Sequence, residues 1–336
     1  MLLSTALNPI QRRFDFARRA VPAPAGWVER SEVIMGTEIR VELWADNRRD
    51  GEAAAAAVMD EMHRIDRLMS PHKTSSELSR INRDAAVAAV PLSEEMASLL
   101  ARAIDFSALT DGAFDISYAA VGRLYDYRAR VRPDAAALEQ ARACVGWQQL
   151  ELDRRAATLR FGRAGMCIDL GGIAKGHAVD KAAAMLVRRG IRHAYLSAGG
   201  DSRVIGDRFD GKTRRPWSVA IRHPRRAEGA VAVLPLVDVS ISTSGDYERF
   251  FDDGAERVHH LLDPATGRSP AGVHSATVLA DDGVTSEALS KAIFVRGPER
   301  GLALLAKLPG TDAVIVDAQG QLHWSPGFAL PASQAA

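Results

Sequence analysis

Two spacings of hydrophobic residues divide the N-terminal part of the chain into strands and helices. Apolar and polar residues alternate after Gly36, which predicts two strand segments over 33–43 with a kink at that glycine. Residues 52–69 repeat apolar side chains at helical spacing and predict an amphipathic helix that ends before Pro71. A polar elbow is predicted at 76–82. A second helix is predicted to begin at Ser93, because serine caps helices well and Glu94 and Glu95 suit the helix dipole.

The same spacings in the rest of the chain predict strands interleaved with helices. Predicted strands lie at 148–152, 157–161, 193–198, 217–221, 231–236, 239–242 and 275–280, and a closing hairpin spans 314–324. Predicted helices run from Asp134 to about Cys144, over 285–296, and from Pro298 onwards. This order indicates an α+β or mixed α/β fold and argues against an all-parallel barrel.

One stretch, residues 168–180, carries the clearest chemical signal. The apolar residues Met166 to Ile168 predict a strand that ends at Gly171-Gly172 and leads into a helix reaching Arg189. Such a turn leaves backbone N–H groups free, and glycines let a phosphate approach them. Asp169, just before the turn, suits a ribose hydroxyl, a ring N–H or a metal ion. An ordinary strand-to-helix connection is the alternative, because the segment matches neither the Walker loop nor the full dinucleotide fingerprint.

Three further segments place polar groups at predicted turns. Residues 198–201, Ala-Gly-Gly-Asp, give a second strand that ends in Gly-Gly-Asp and strengthen the phosphate interpretation. Residues 243–249 form a hydroxyl-rich turn, and residues 259–268 form a loop with the titratable His260.

Composition bounds the class of protein. The 336 residues are 47% hydrophobic and 25% charged with a formal net charge of +1, which is typical of a globular protein and argues against nucleic acid as the main partner. Cys144 and Cys167 lack metal-ligand spacing and are predicted to be buried thiols. No apolar run reaches the length of a membrane span.

The first residues predict a loosely ordered lead-in over 1–28, followed by one domain over 29–330. The apolar patch that starts at Leu2 is interrupted by Pro9 and by several arginines, so no export signal is clear. We therefore predict a cytoplasmic protein.

Seven short motifs, in order between residues 33 and 328, resemble those of the FAD:protein FMN transferases, also called ApbE-type flavin transferases. They are Met35-Gly36-Thr37, Ser76-Glu77-Leu78-Ser79, Thr110-Asp111-Gly112-Ala113-Phe114-Asp115, Asp169-Leu170-Gly171-Gly172-Ile173-Ala174-Lys175-Gly176, Ala198-Gly199-Gly200-Asp201, Thr243-Ser244-Gly245-Asp246-Tyr247 and His260-Leu261-Leu262-Asp263-Pro264-Ala265-Thr266-Gly267.

The resemblance implies an α+β fold, with mixed sheets and packed helices, that holds FAD in a cleft. It implies an enzyme that moves the FMN half of FAD onto a threonine hydroxyl of a target protein and releases AMP. Attack at phosphorus builds charge on oxygen, so such catalysis needs positioning, cationic stabilisation and a base. By position His260 is the implied base; without the motif around it, a histidine in a surface turn is the alternative.

The motifs also imply a set of FAD-binding positions. These are Met35, Ala113, Phe114, Asp115, Asp169, Lys175, Gly200, Asp201, Ser244, Gly245 and Asp246. Phe114 equally suits the core, and Ser244 to Asp246 equally suit a plain turn with a capping aspartate.

The chain departs from the family at the implied metal site. Family members carry an aspartate and, four residues later, a threonine that bind Mg²⁺ together with a backbone oxygen at the position of Gly172. Here the two positions are Glu287 and Lys291. Glutamate can still bind a metal, whereas an ammonium cannot ligate one and repels it.

Two interpretations of this pair stay open. An ordinary exposed i, i+4 ion pair is worth only about 0.2–0.5 kcal/mol. The interpretation we favour is that the Lys291 ammonium takes the place of the metal and contacts the pyrophosphate of FAD, which makes Lys291 a catalytic candidate and leaves Mg²⁺ in doubt.

Three other departures concern the cleft wall and the location. His72 stands where the family often has a tyrosine near the flavin ring, and it could still stack there. Residues 117–121, Ser-Tyr-Ala-Ala-Val, replace the Thr-Val-Gly-Pro-Leu of the family. Most members also carry an export or lipoprotein signal, which this sequence does not show.

We therefore predict an FAD:protein FMN transferase whose partners are FAD and a flavin-accepting protein. Two alternatives remain: an FAD-binding carrier without transfer, and an FAD pyrophosphate hydrolase that gives the phosphoryl group to water.

Overall fold

An eight-stranded antiparallel sheet is the largest element of the computed structural model, which describes residues 24–226 and 228–328. The strands are β1 (Gly26–Ile34), β2 (Thr37–Ala45), β3 (Val90–Pro91), β4 (Leu150–Asp153), β5 (Thr158–Phe161), β6 (Ala194–Ala198), β7 (Asp201–Ile205), β8 (Arg208–Phe209), β9 (Arg214–Arg215), β10 (Trp217–Arg222), β11 (Ala230–Leu236), β12 (Ser240–Gly245), β13 (Phe250–Asp253), β14 (Glu256–His259), β15 (Val273–Ala280), β16 (Asp312–Asp317) and β17 (Leu322–Trp324).

The helices follow the predicted order with two additions. They are α1 (Arg48–Met69), α2 (Glu77–Asp84), α3 (Glu94–Leu109), α4 (Ala119–Gly122), α5 (Ala135–Arg142), α6 (Ala174–Arg188), α7 (Gly283–Arg296) and α8 (Pro298–Leu305). Ser93 and Asp134 cap α3 and α5 as predicted.

The strand order brings distant parts of the chain to one end of the sheet. The order is β1-β2-β6-β7-β12-β15-β16-β17. Ile39 pairs with Ala198, Asp201 with Ser242, and Gly245 with Ser275. The turn between β1 and β2, the turn between β6 and β7, and the end of β12 therefore lie at the same end of the strands.

Helices cover one face of the sheet and a small hairpin covers the other. Helices α1, α6 and α7 lie side by side on the first face, where apolar residues of α1 and α6 pack on those of β2 and β6. The hairpin β10–β11 contributes Trp217 and Leu234 to a separate cluster with Val204 and Ile241. The predicted α+β class is confirmed, and the strand pairs within the described residues are antiparallel.

One predicted hairpin is confirmed, and one predicted kink proves to be a full turn between two paired strands. The kink at Gly36 is a two-residue hairpin turn, with φ of 55° at Met35 and 71° at Gly36, as a type I′ turn requires. The predicted hairpin between 148–152 and 157–161 is β4–β5.

Several predicted boundaries and segment types are wrong. The predicted elbow at 76–82 is helix α2, because Ser76 accepts the Ser79 N–H and caps it. The predicted strand before Asp169 is irregular chain, and the turn at 243–249 begins as the end of β12. Gly199-Gly200 is the turn of the β6–β7 hairpin, so Asp201 starts a strand and does not follow one.

Neither the predicted lead-in nor the predicted compartment is tested. Residues 1–23 lie outside the described part of the chain, and β1 begins at Gly26, ahead of the predicted domain start at 29. Over the ranges 24–226 and 228–328, none of the helices is both long enough and apolar enough to span a bilayer.

Helices α6 and α7 touch through their backbones where Gly176 meets Gly283. An ideal Cβ at Gly176 would lie 2.2 Å from the Gly283 carbonyl oxygen, and one at Gly283 would lie 2.7 Å from the Gly176 oxygen. Asp180 of α6 reinforces this contact, because its carboxylate accepts the N–H groups of Gly283 and Val284 at 2.7 and 3.1 Å. Only glycine fits at this crossing.

We expect Gly176→Ala to destabilise the protein, although alanine in an exposed helix interior is better than glycine by about 1 kcal/mol. The added methyl group meets backbone atoms, which cannot rotate away, so the free energy of unfolding should fall by about 1–3 kcal/mol in urea denaturation. Gly272→Ala is the matched control, since an ideal Cβ there has no neighbour within 4 Å. Equal midpoints for the two variants would contradict the backbone contact.

Candidate functional site

Several amides at the turn of Gly171-Gly172 and at the start of α6 are already bonded within the protein, which leaves fewer of them for the phosphate cradle that the sequence predicts. The Gly171 N–H donates to Asp169 Oδ1 at 2.6 Å, and the N–H groups of Ile173 and Ala174 donate to the Leu170 carbonyl at 2.9 and 2.7 Å. The Gly176 N–H donates to Glu287 Oε2 at 2.7 Å. An anion at this helix start must therefore find much of its stabilisation in side chains.

A buried charge cluster, formed by Lys175, Asp201, Glu287 and Lys291, lies beside this turn. Lys175 Nζ is 2.5 Å from Asp201 Oδ2 and 2.5 Å from Glu287 Oε1. Lys291 Nζ is 3.3 Å from the same Glu287 oxygen. The Glu287 side chain is 0% exposed, so this is not the exposed helix pair that its i, i+4 spacing alone would suggest.

Charge compensation fixes the protonation states in the cluster. Burial favours the neutral form of Lys175, but the carboxylates of Asp201 and Glu287 outweigh it and raise the pKa of Lys175. Burial also favours a protonated Glu287, yet Lys175 and Lys291 hold the pKa of Glu287 below its usual value. The pKa of Asp201 is raised, first by burial and then by the charge of Glu287.

The stem of Lys291 packs against Gly172. An ideal Cβ at Gly172 would lie 3.1 Å from Lys291 Cδ and 3.3 Å from Phe114 Cε2. Phe114 itself is buried in the main core, in edge-to-face contact with Phe106. The two residues at the implied metal-ligand positions, Gly172 and Glu287, are thus both in contact with the Lys291 side chain.

A divalent metal ion does not fit this arrangement. Both oxygens of Glu287 are engaged, one by the two lysines and the other by the Gly176 amide. In the part of the chain that the structure describes, no group of three His, Cys, Asp or Glu side chains could hold a metal ion. A positive ammonium next to Glu287 also raises the electrostatic cost of binding a cation there.

His260 directly follows β14, and the charge of Lys291 acts on its imidazole. Its N–H donates to the Arg249 carbonyl at 3.1 Å, and its Nδ1 is buried with no hydrogen-bond partner among the described residues. Burial, then the charges of Arg249, His259 and Lys291, lower the pKa of His260 from 6.5 to about 3. The imidazole is therefore neutral at pH 7 and has a lone pair to accept a proton.

Asp169 faces a tyrosine that the motifs did not single out. Burial raises the pKa of Asp169, while the Gly171 amide and the charges of His72, Arg249 and Lys175 act against it. The Asp169 carboxylate, followed by burial, raises the pKa of the Tyr118 phenol well above its usual value through charge and a hydrogen bond. His72 is exposed between α1 and α2, close enough to influence Asp169.

Met35 and Gly200 occupy the two adjacent hairpin turns at the end of the sheet. Gly199 has φ of 60° and its ideal Cβ would lie 2.3 Å from Thr37 Oγ1, so the β6–β7 turn rests on the start of β2. Gly200 is exposed and Met35 is half-buried, which leaves both accessible to a ligand.

Ser244 and Gly245 lie in β12, and Ser244 is used internally. Ser244 Oγ is 2.8 Å from Ser290 Oγ, and Ser242 Oγ is 2.8 Å from Ser286 Oγ, both pairs buried. These hydroxyl pairs tie β12 to α7. Ser244 thus supports the helix that carries Glu287 and Lys291.

Asp246 is buried and fully engaged by two side chains. Arg225 donates to both of its oxygens, at 2.7 and 2.6 Å, and His274 Nδ1 lies 3.1 Å from Oδ2. Arg225 belongs to the loop between β10 and β11, so Asp246 anchors that loop to the end of β12.

Asp115 likewise serves the local fold. It accepts the Ser117 N–H and hydroxyl at 2.8 and 2.7 Å and the Trp147 N–H at 2.9 Å. Burial raises the pKa of Asp115 despite these bonds. Ala113, two residues earlier, is half-buried and packs against the main core.

Tyr118 and Arg249 are the residues near the site that sequence reasoning missed. Tyr118 falls in the segment 117–121 that departs from the family, and that departure was the available signal. Arg249 ends the segment 243–249 but looks like any surface arginine, because nothing in the sequence shows that its carbonyl bonds His260.

Comparisons with known proteins point to one family. The sequence model of the ApbE family matches residues 35–315. An FAD:protein FMN transferase of Treponema pallidum is 31% identical over 315 residues, covering 89% of this chain and 87% of that protein. The crystal structure of the ApbE protein of Thermotoga maritima matches with a TM-score of 0.83 at 32% identity, covering 90% of this chain and 98% of that one. The flavin transferase ApbE of Vibrio cholerae matches with a TM-score of 0.80 at 28% identity, covering 91% and 99%.

We expect His260→Gln to flatten the dependence of stability on pH in acid. Because the pKa of His260 falls from 6.5 to about 3 on folding, the unfolded chain binds a proton below pH 6.5 that the folded chain excludes. The stabilising contribution is complete above pH 6.5 and declines as the pH falls towards the folded pKa. Urea midpoints measured from about pH 7.5 to about pH 4.5 should fall less for the variant than for the wild type. Parallel curves for His260→Gln and the wild type would refute the prediction.

Proposed function

The chain belongs to the ApbE family, and from that premise we propose that it is an FAD:protein FMN transferase acting on a threonine of a partner protein. Its substrates are FAD and the flavin-accepting protein. The observation that carries the proposal is a contact between motifs from distant parts of the chain. Lys175 Nζ lies 2.5 Å from Asp201 Oδ2 and 2.5 Å from Glu287 Oε1. The charge of Lys291 also lowers the pKa of His260.

In the proposed reaction, the acceptor hydroxyl oxygen attacks the phosphorus of the FMN half of FAD. The new O–P bond forms as the bond from that phosphorus to the bridging oxygen breaks, and AMP leaves with the bridging oxygen and the bonding electron pair. The hydroxyl proton passes to His260. A base must be neutral before the reaction, and burial keeps His260 in that form by lowering its pKa.

The other candidate residues divide by their contacts into two groups. We propose that Met35, His72, Ala113, Asp169, Lys175, Gly200 and Asp201 contact FAD. Phe114, Asp115, Ser244, Gly245 and Asp246 are then positioning residues, because each packs on or bonds a core, loop or helix residue outside the buried charge cluster.

The test is to incubate the protein with FAD and a peptide that carries the acceptor-threonine motif of the family. Intact-mass spectrometry should show the peptide gaining one FMN, with AMP released, and no gain on a peptide in which alanine replaces the threonine. Release of AMP without a mass gain would identify an FAD hydrolase. FAD binding without AMP release would identify a flavin carrier.

We expect His260→Ala to lower the rate of transfer by roughly 10²–10⁴-fold, the usual contribution of a general base. FAD affinity, measured by flavin fluorescence, should stay within about threefold, because the base acts on the acceptor hydroxyl and not on bound FAD. His63→Ala is the control for a histidine outside the site. A large loss of FAD affinity in His260→Ala would show that His260 lines the cleft and is not the base.

A further inference from the structure

One surface segment, residues 123–132, has the composition of a protein-binding surface and contacts the chain on both sides of His260. It holds two tyrosines and four arginines against one aspartate. Tyrosine and arginine are enriched at protein–protein interfaces and at the residues that dominate binding there. This segment is termed the arginine loop below.

The two tyrosines attach the arginine loop to the wall around His260. Tyr125 Oη donates to the Gly267 carbonyl at 2.8 Å, in the loop that follows His260. The Tyr127 ring stacks on Tyr125 with centroids 5.9 Å apart, and its centroid lies 6.3 Å from that of Phe251. Phe251 belongs to β13, whose partner strand β14 ends one residue before His260. The loop therefore adjoins the place where the acceptor hydroxyl must arrive in the proposed reaction.

Arg132 attaches the far end of the arginine loop to the tip of the hairpin β13–β14. Its guanidinium lies 2.8 Å from Asp253 Oδ2 and 2.7 Å from Glu256 Oε2. Asp253 and Glu256 face each other across the last pair of the hairpin. The loop is thus held along the hairpin, and Arg132 occupies the carboxylates at its tip.

The backbone of the arginine loop is closed into a fixed turn. Asp126 and Val131 exchange two backbone hydrogen bonds, at 3.0 and 2.8 Å, and Asp126 Oδ1 accepts the N–H groups of Arg128 and Ala129 at 2.9 Å each. Arg130 has a φ of 56° in this turn, a left-handed conformation that costs free energy for a residue with a side chain. An arginine at this position therefore does not serve the turn itself.

The side chains of Arg128 and Arg130 are both exposed. Within the ranges 24–226 and 228–328, neither guanidinium has an ion-pair partner, and the intervening aspartate and hairpin carboxylates are engaged by the turn amides and by Arg132. Val131 beside them is 50% exposed. Two cations on a fixed backbone, next to an apolar side chain, match a protein segment that carries carboxylates.

We propose that Arg128 and Arg130 dock the flavin-accepting protein through an acidic segment that flanks its acceptor threonine. The inference rests on the proposed function, because the acceptor hydroxyl has to reach His260 and the arginine loop lies against both segments that flank His260. A preorganised loop lowers the entropy cost of association. Its charges also speed the encounter with an acidic partner, and salt weakens that effect.

The test compares two synthetic peptides that share the acceptor-threonine motif of the family. One carries glutamates on both sides of the motif, and the other carries glutamines. With the wild-type protein and FAD, the KM of the glutamate peptide should be lower by roughly fivefold or more, as two exposed charge pairs predict, and the difference should shrink at high salt. Equal KM values would overturn the inference and leave the proposed function standing. Lack of transfer to either peptide would instead contradict the proposed function.

A double variant, Arg128→Ser with Arg130→Gly, removes both charges. It should lose the preference for the glutamate peptide, while kcat and FAD affinity stay within about twofold. Glycine adopts a φ of 56° without a steric penalty, so the thermal midpoint should not fall. Arg155→Ser with Arg160→Ser is the matched control, because it removes two exposed arginines from the hairpin β4–β5, and its preference should equal that of the wild type.

Three results for the double variant would contradict the docking role. A retained preference for the glutamate peptide would show that the two arginines do not bind it. A loss of FAD affinity would place the loop at the FAD cleft, and a lower thermal midpoint would make the arginines structural. A docking role predicts the remaining combination, in which the acidic peptide binds less well and the protein is as stable as before.

Discussion

The site depends on one carboxylate, that of Glu287, being entirely removed from water. A buried charge is costly unless paired and hydrogen-bonded, and each of its neighbours meets part of that cost. Lys175 and Lys291 supply charge, and the Gly176 amide supplies a hydrogen bond. The Gly176 amide reaches Glu287 because α6 and α7 meet at two glycines. The close backbone contact and the buried charge therefore depend on each other.

The same requirement explains the hydroxyl-rich strand β12. A helix that buries a charged residue in its first turns must keep a fixed position along the strand on which it packs. Apolar contacts alone allow the helix to slide along that strand. The pairs Ser242–Ser286 and Ser244–Ser290 fix α7 on β12 by directional bonds. Ser244, which the motifs assign to FAD binding, therefore also fixes the helix that carries Glu287 and Lys291.

Sequence reasoning succeeded where a local pattern dictates local geometry and was limited where the decisive partner lies far along the chain. The break at Gly36 and the caps at Ser93 and Asp134 depend on adjacent residues and were predicted correctly. The motifs also identified the family, and with it the fold. The prediction of a strand before Asp169 was wrong, because the apolar residues there pack in the core without pairing to another strand. The periodicity of the sequence does not show whether such a segment pairs. The Glu287–Lys291 spacing predicts a surface ion pair equally well, and only the burial of Glu287 beside Lys175 distinguishes the two.

The strand order has a consequence for how the chain matures. Lys175, Asp201 and Glu287 come from three separate segments, and all three are together only when α7 lies against α6 and β7. Such non-local contacts slow folding, since long loops must close before the contacts form. A fragment that ends before α7 lacks Glu287 and Lys291 altogether. A ligand bound by these groups therefore stabilises only the completed fold. A higher ligand concentration then raises the fraction of completely folded chains by mass action.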